Sequence, residues 1–191
     1  MSETTLKYSE IRDEIRTGDL ILFKGRSFWS RVIQFRTLSR FSHCGFALWL
    51  HDEDHKHRRL MLVESKEAIG ARMVPLTDAM RRGSDVHWFP LEDYDEVDRD
   101  AVFVFTMTSL GSPYAPVWQF VRSFGLVTRW LCDRWHINAN IAGRSRFCSE
   151  YVAEALKWMG YRHSIILSPP EVVPGDLPEL PFVSNRGRIV L

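Results

Sequence analysis

Cysteine is scarce in this chain. Cys44, Cys132 and Cys148 are the 3 cysteines among 191 residues, and none forms a CxxC pair. An odd count without paired spacing excludes a disulfide framework and a cysteine-rich zinc site, and it points to a reducing compartment. An excess of one charge is also missing. Lysine and arginine number 25 against 24 acidic residues, a net charge of +1. No overall field therefore draws the chain to nucleic acid or to an anionic membrane. No apolar run reaches the ~18 residues that span a bilayer. The start, MSETTLKYSEIRDEIRTGD, lacks the basic stretch and apolar core of a secretory signal. A cytoplasmic protein without a transmembrane segment is expected. Internal repeats and low-complexity tracts are absent as well.

What remains is ordinary globular material. Apolar residues make up 45% and charged residues 26%, close to average usage, which excludes a disordered chain. The length fits one domain over 1–191, and the aromatic content of 13% supplies ample core.

The pattern along the chain predicts a short polar helix over Glu10–Arg16, a turn at Thr17-Gly18-Asp19 and a buried strand over Leu20–Phe23. Residues 26–40 read as a short helix or ordered loop. His43–Leu50 and Leu60–Ser65 read as a hairpin joined by the charged stretch 51–59, followed by extended runs at Arg72–Leu76 and Val86–Pro90. After Asp95, the spacing of Val97, Ala101, Val104, Phe105 and Thr108 predicts one helix face, stopped by Gly111 and Pro113. A further helix begins near Cys148, with Val152, Ala155, Leu156 and Met159 on its apolar face and Gly160 at its end. Between them, 115–142 is an aromatic-rich helical insertion with interleaved arginines. Helices flanking a run of strands give an α+β fold, with a mostly antiparallel sheet of about five strands packed on helices.

Chemistry concentrates at Phe147-Cys148-Ser149-Glu150. A cysteine in the first turn of a helix meets free N–H groups and the positive end of the dipole, which favour the thiolate. Such a nucleophile needs a proton carrier and a group to orient that carrier. His43 opens a strand and Glu64 lies on the next one, where a carboxylate can fix the imidazole tautomer. Strand alternation puts His43, Gly45, Ala47 and Trp49 on one side and Cys44, Phe46 and Leu48 on the other. Cys44 then belongs to the core. The hairpin loop leaves the register open, with Glu67 or a backbone carbonyl as the other candidates to orient His43.

The segments TGDLILFK, SHCGFALW, LVESKEAIGARMVPL, LGSPY and FCSEYVAEAL together resemble the circularly permuted branch of the NlpC-type papain-like cysteine hydrolases, the YiiX/YaeF-like amidases. In that order the G-D strand and the histidine come first and the nucleophile helix comes late. The resemblance implies Cys148 as nucleophile, His43 as general base and acid, and Glu64 as the third member of a triad. It places Tyr114, Ser42 and Ser149 beside the substrate, and it matches Ser168-Pro169 to the late S-P element. The implied activity is cleavage of an amide or thioester bond through a thioester acyl-enzyme, with no metal or organic cofactor. The implied substrate is a small molecule, a peptide or a lipid-like compound. The alternative is a catalytically silent module of the same fold that binds a peptide or acyl ligand.

Three further patterns carry weaker expectations. His51, His55 and His57 stand among Asp52, Glu53 and Asp54, which reads as a solvated loop rather than a metal site. Arg26, Arg31, Arg36 and Arg40 recur near Phe28, Trp29, Phe35 and Phe41, but no nucleic-acid module is present. The 115–142 insertion reads as packing on the core, as a lid over an acyl cleft, or more weakly as a peripheral membrane contact.

Overall fold

The computed structural model describes residues 4–51, 58–92, 97–114, 147–163, 172–184 and 187–191. The 115–142 insertion, the acidic and histidine residues 52–57, Cys132 and Ser168-Pro169 lie outside these residues.

Seven strands form one sheet in the order β1-β7-β6-β2-β3-β4-β5. They are β1 (Thr5–Lys7), β2 (Leu20–Lys24), β3 (His43–His51), β4 (Arg58–Lys66), β5 (Gly70–Pro75), β6 (Asp85–Phe89) and β7 (Gly187–Val190). β1 and β7 pair in parallel, and the other neighbours are antiparallel. The expected five strands are β2 to β6. The two added ones hold 3 and 4 residues, too few to show a periodicity.

Five α-helices are described: α1 (Tyr8–Ile11), α2 (Phe28–Arg36), α3 (Leu76–Met80), α4 (Ala101–Ser109) and α5 (Cys148–Trp158). The first replaces the helix expected over Glu10–Arg16. After Ile11 the Glu14 N–H makes an i−3 bond to the Ile11 carbonyl at 2.9 Å, and the Arg16 N–H turns to the Asp19 carboxylate at 2.9 Å, so the helix does not reach Arg16.

The sheet is covered on both faces, as alternation along β2 and β3 requires. Leu20, Leu22, Cys44, Phe46 and Leu48 face α4 and α5 in one apolar cluster. Ile21, Phe23, Ala47 and Leu62 face Ile11, Leu76 and Ala79 on the other side. β2 is apolar at successive positions because both its faces are buried. α5 buries Cys148, Val152, Ala155 and Leu156, with Met159 just beyond it. Each fully buried Val or Leu contributes about 1.5–3 kcal/mol, so this face fixes the helix, and Cys148 with it, against β3. Gly160 ends the helix at a φ of 95°, a conformation that favours glycine.

α4 presents a different face from the expected one. Val102, Phe105, Thr106 and Ser109 are buried, while Val104 is 51% exposed. The helix is apolar on nearly every side, so hydrophobic spacing cannot choose its inner face. Its polar residues reveal the choice. Thr106 Oγ1 donates to the Val102 carbonyl at 2.7 Å, and Ser109 Oγ pairs with the Tyr151 hydroxyl at 2.7 Å. Buried hydroxyls need such partners.

Candidate active site

β3 and β4 deliver two of the three expected catalytic side chains. Their ladder pairs Phe46 with Val63, so one step further along Gly45 faces Glu64, and His43 lies diagonally to it on the same face. Diagonal neighbours are within reach of a long side chain. His43 Nε2 and Glu64 Oε2 are 2.6 Å apart. Gly45 opens this diagonal. A Cβ there would lie 2.5 Å from the Val63 carbonyl oxygen and 3.3 Å from the Glu64 Cβ. Gly45→Ala is expected to destabilise the fold by about 1–3 kcal/mol, because backbone has to move. Urea unfolding measures it, and an unchanged midpoint would remove this role for the glycine.

Glu64 is only 2% exposed, and its charge is compensated on both oxygens. While Oε2 meets His43, Oε1 accepts from Arg72 Nε at 2.8 Å and from Arg82 Nη1 at 2.9 Å. Burial opposes the charge, but the bonds from His43 and Arg72 outweigh it and hold the carboxyl well below its usual range. Neither arginine stands out in the sequence. Arg72 is set by register, since β4 and β5 pair it directly with Glu64.

Cys148 is the first residue of α5, where the dipole and unbonded N–H groups favour an anion. Glu150 steadies this turn by accepting from the Phe147 N–H at 2.9 Å. The Cys148 thiol is shifted well below its ordinary value. The largest cause is a hydrogen bond from the Cys44 thiol; burial opposes it, and the His43 charge and hydrogen bond reinforce it. The Cys44 backbone N–H donates as well. Burial would keep His43 neutral, yet the Cys148 thiolate and Glu64 together push it up to about 9. Nε2 is held by Glu64, so Nδ1 is the nitrogen left for sulfur.

Cys44 is fully buried in the core, as alternation requires. It is also a neighbour of Cys148, which alternation alone does not reveal. Its own thiol is pushed up by burial and by the Cys148 charge, so Cys148 is the sulfur that ionises.

The structure brings Tyr114 to this cluster. Its ring meets Phe147 edge-on at 5.8 Å, and burial and the Cys148 charge raise its pKa. Ser42 and Ser149 are occupied within the fold. Ser42 Oγ accepts from the Gly25 N–H at 3.1 Å, and Ser149 Oγ donates to the Val172 carbonyl at 2.5 Å. Both are nearly fully buried and anchor the two segments that carry His43 and Cys148. A cleft of about 490 Å³ runs between Phe105, Ser109, Gly111 and Trp158, along α4 and α5, and Cys148 is not among the residues that line it.

No family model matches the sequence, and a search of curated proteins finds no match. A search of solved structures finds the metalloprotein YiiX from Escherichia coli O157:H7, with 18% identity and a TM-score of 0.58. The likeness covers 91% of this chain and 97% of that one. The two share a fold. Among the described residues, no three His, Cys, Asp or Glu side chains form a group able to hold a metal. Glu64 already faces two guanidinium groups, which disfavours a cation there. The donor set at this site does not fit a metal ion.

Proposed function

We propose that this chain is a cysteine hydrolase of the permuted papain-like, YiiX-like kind, cleaving an amide or thioester bond. The supporting observation is the relay from Cys148 at the start of α5 through His43 to Glu64.

In this reading the Cys148 thiolate attacks a carbonyl carbon. A C–S bond forms and the carbonyl electron pair moves to oxygen. The oxyanion faces the Cys148 N–H, a first-turn donor without an intrahelical acceptor. The hydroxyl of Tyr114, kept protonated by burial and by the sulfur's charge, is the second donor. As the tetrahedral intermediate collapses, the bond to the amine or thiol breaks, and His43 Nδ1 gives its proton to that leaving group. Its raised pKa of about 9 keeps His43 in the acid form at neutral pH. The neutral imidazole then takes a proton from water, whose oxygen attacks the thioester and frees the acid and the thiolate. Glu64, fixed by Arg72 and Arg82, holds the ring throughout.

An activated ester tests the covalent step without knowledge of the natural substrate. With p-nitrophenyl acetate, a burst of p-nitrophenolate and an acetyl adduct on the Cys148 peptide are expected. No burst, with no adduct at Cys148, would contradict hydrolysis and leave a ligand-binding module.

A further inference from the structure

The near-zero net charge conceals a local excess. Residues 24–42 contain Lys24, Arg26, Arg31, Arg36 and Arg40 and no aspartate or glutamate. α2 lies in this stretch, and none of its described side chains is fully buried. Phe28 and Phe35, 7 positions apart, are 73% and 78% exposed. Arg31 stands between them on the same face of the helix, also exposed.

The turn after α2 adds a third large apolar group. The Ser39 N–H bonds back to the Gln34 carbonyl at 3.1 Å, and Leu38 adopts a φ of 51°. This is the helix-ending position that glycine ordinarily fills. A leucine there is strained, and its side chain is 93% exposed. Folding gains little from a residue that is strained and almost wholly in water.

We propose that the outward face formed by Phe28, Arg31, Phe35 and Leu38 docks on an anionic lipid surface. Phe28, Phe35 and Leu38 enter the boundary between headgroups and acyl chains, and the Arg31 guanidinium stays at headgroup level. Arg26 is paired with Asp85 at 3.0 Å, but the stretch itself carries further cations and no acid, which matches a negatively charged leaflet. Nucleic acid shares the charge but rewards ring stacking, which Leu38, the most exposed of the three, cannot offer. The chain from this face leads directly into His43, so docking would hold the start of β3 near the lipid. The inference does not depend on the proposed hydrolysis.

Sedimentation of the full chain with vesicles tests it. The probes are phosphatidylcholine alone, phosphatidylcholine with about a third phosphatidylserine, and a single-stranded oligothymidine. Binding to the anionic vesicles is expected, weakening as salt is added. Phe28→Ser with Phe35→Ser should reduce it by about tenfold or more. Leu38→Gly separates docking from folding. Glycine relieves the strained turn, so the unfolding midpoint should hold or rise while vesicle binding falls about tenfold. Unchanged binding by Leu38→Gly would overturn the proposal. So would equal binding to the two vesicles, binding to neither, or binding to the oligothymidine that these variants abolish.

Discussion

Cys148→Ala and His43→Ala are each expected to lower kcat for an acyl substrate by ~10³-fold or more, and the double variant to lose no more than either single one. In the proposed mechanism sulfur and imidazole act as one unit: His43 holds the proton that Cys148 gives up, adding to the stabilisation of the thiolate by the Cys44 thiol, and that proton serves the leaving group. Removing either member removes both functions, so the losses do not add. The pH profile carries the same signature. Activity should fall on the acid side as Cys148 gains a proton, at a pH below the ordinary thiol range. It should fall again as the pH rises through about 9, where His43 loses its proton. Steady-state kinetics of the three variants decide the matter. Multiplicative losses, or an alkaline limb set by the free thiol, would contradict the pair.

The second large effect concerns the fold. Asp19 is fully buried. Its carboxylate accepts from Arg99 Nη1 at 3.0 Å and the Leu91 N–H at 3.2 Å on one oxygen, and from Trp88 Nε1 and the Arg16 N–H, both at 2.9 Å, on the other. Its backbone also pairs with Ala47, 2.8 Å away, just along β3 from the site. Asp19→Ala would leave three N–H groups without their acceptor and would take this carboxylate from the Arg99 guanidinium, which keeps the Thr17 and Leu91 carbonyls. A loss of about 3–5 kcal/mol is expected, or roughly 10 °C in the unfolding midpoint for a chain of this size. Thermal unfolding followed by circular dichroism measures it. A midpoint within a degree or two of the wild type would show that the network is dispensable.

The parts legible in the sequence were those governed by local pattern. β3 and α5 read clearly because each has a long, regular apolar spacing, and the N-terminal place of Cys148 follows from that spacing. The turn before Asp19 was also visible. Its role as a hub was not, because Trp88, Leu91 and Arg99 lie far along the chain and no local pattern joins them to Asp19. Glu64 was a candidate only until register was known; the structure sets it opposite Gly45, a placement the charged hairpin loop does not dictate. Arg72 stayed hidden for the same reason, and Arg82 because it reaches Glu64 from the turn after α3. The inner face of α4 was misread because a helix apolar all round gives no contrast. β1 and β7 were too short to announce themselves.

Alkylation of each cysteine by iodoacetamide across pH, read by mass spectrometry in the wild type and in His43→Ala, tests the Cys148–His43 pair most directly. The expected result is labelling of Cys148 well below the unperturbed thiol pKa of about 8.5, ahead of Cys44 and Cys132, with His43→Ala moving its onset up toward that value. Slow and equal labelling of all three cysteines, unaltered by His43→Ala, would contradict it.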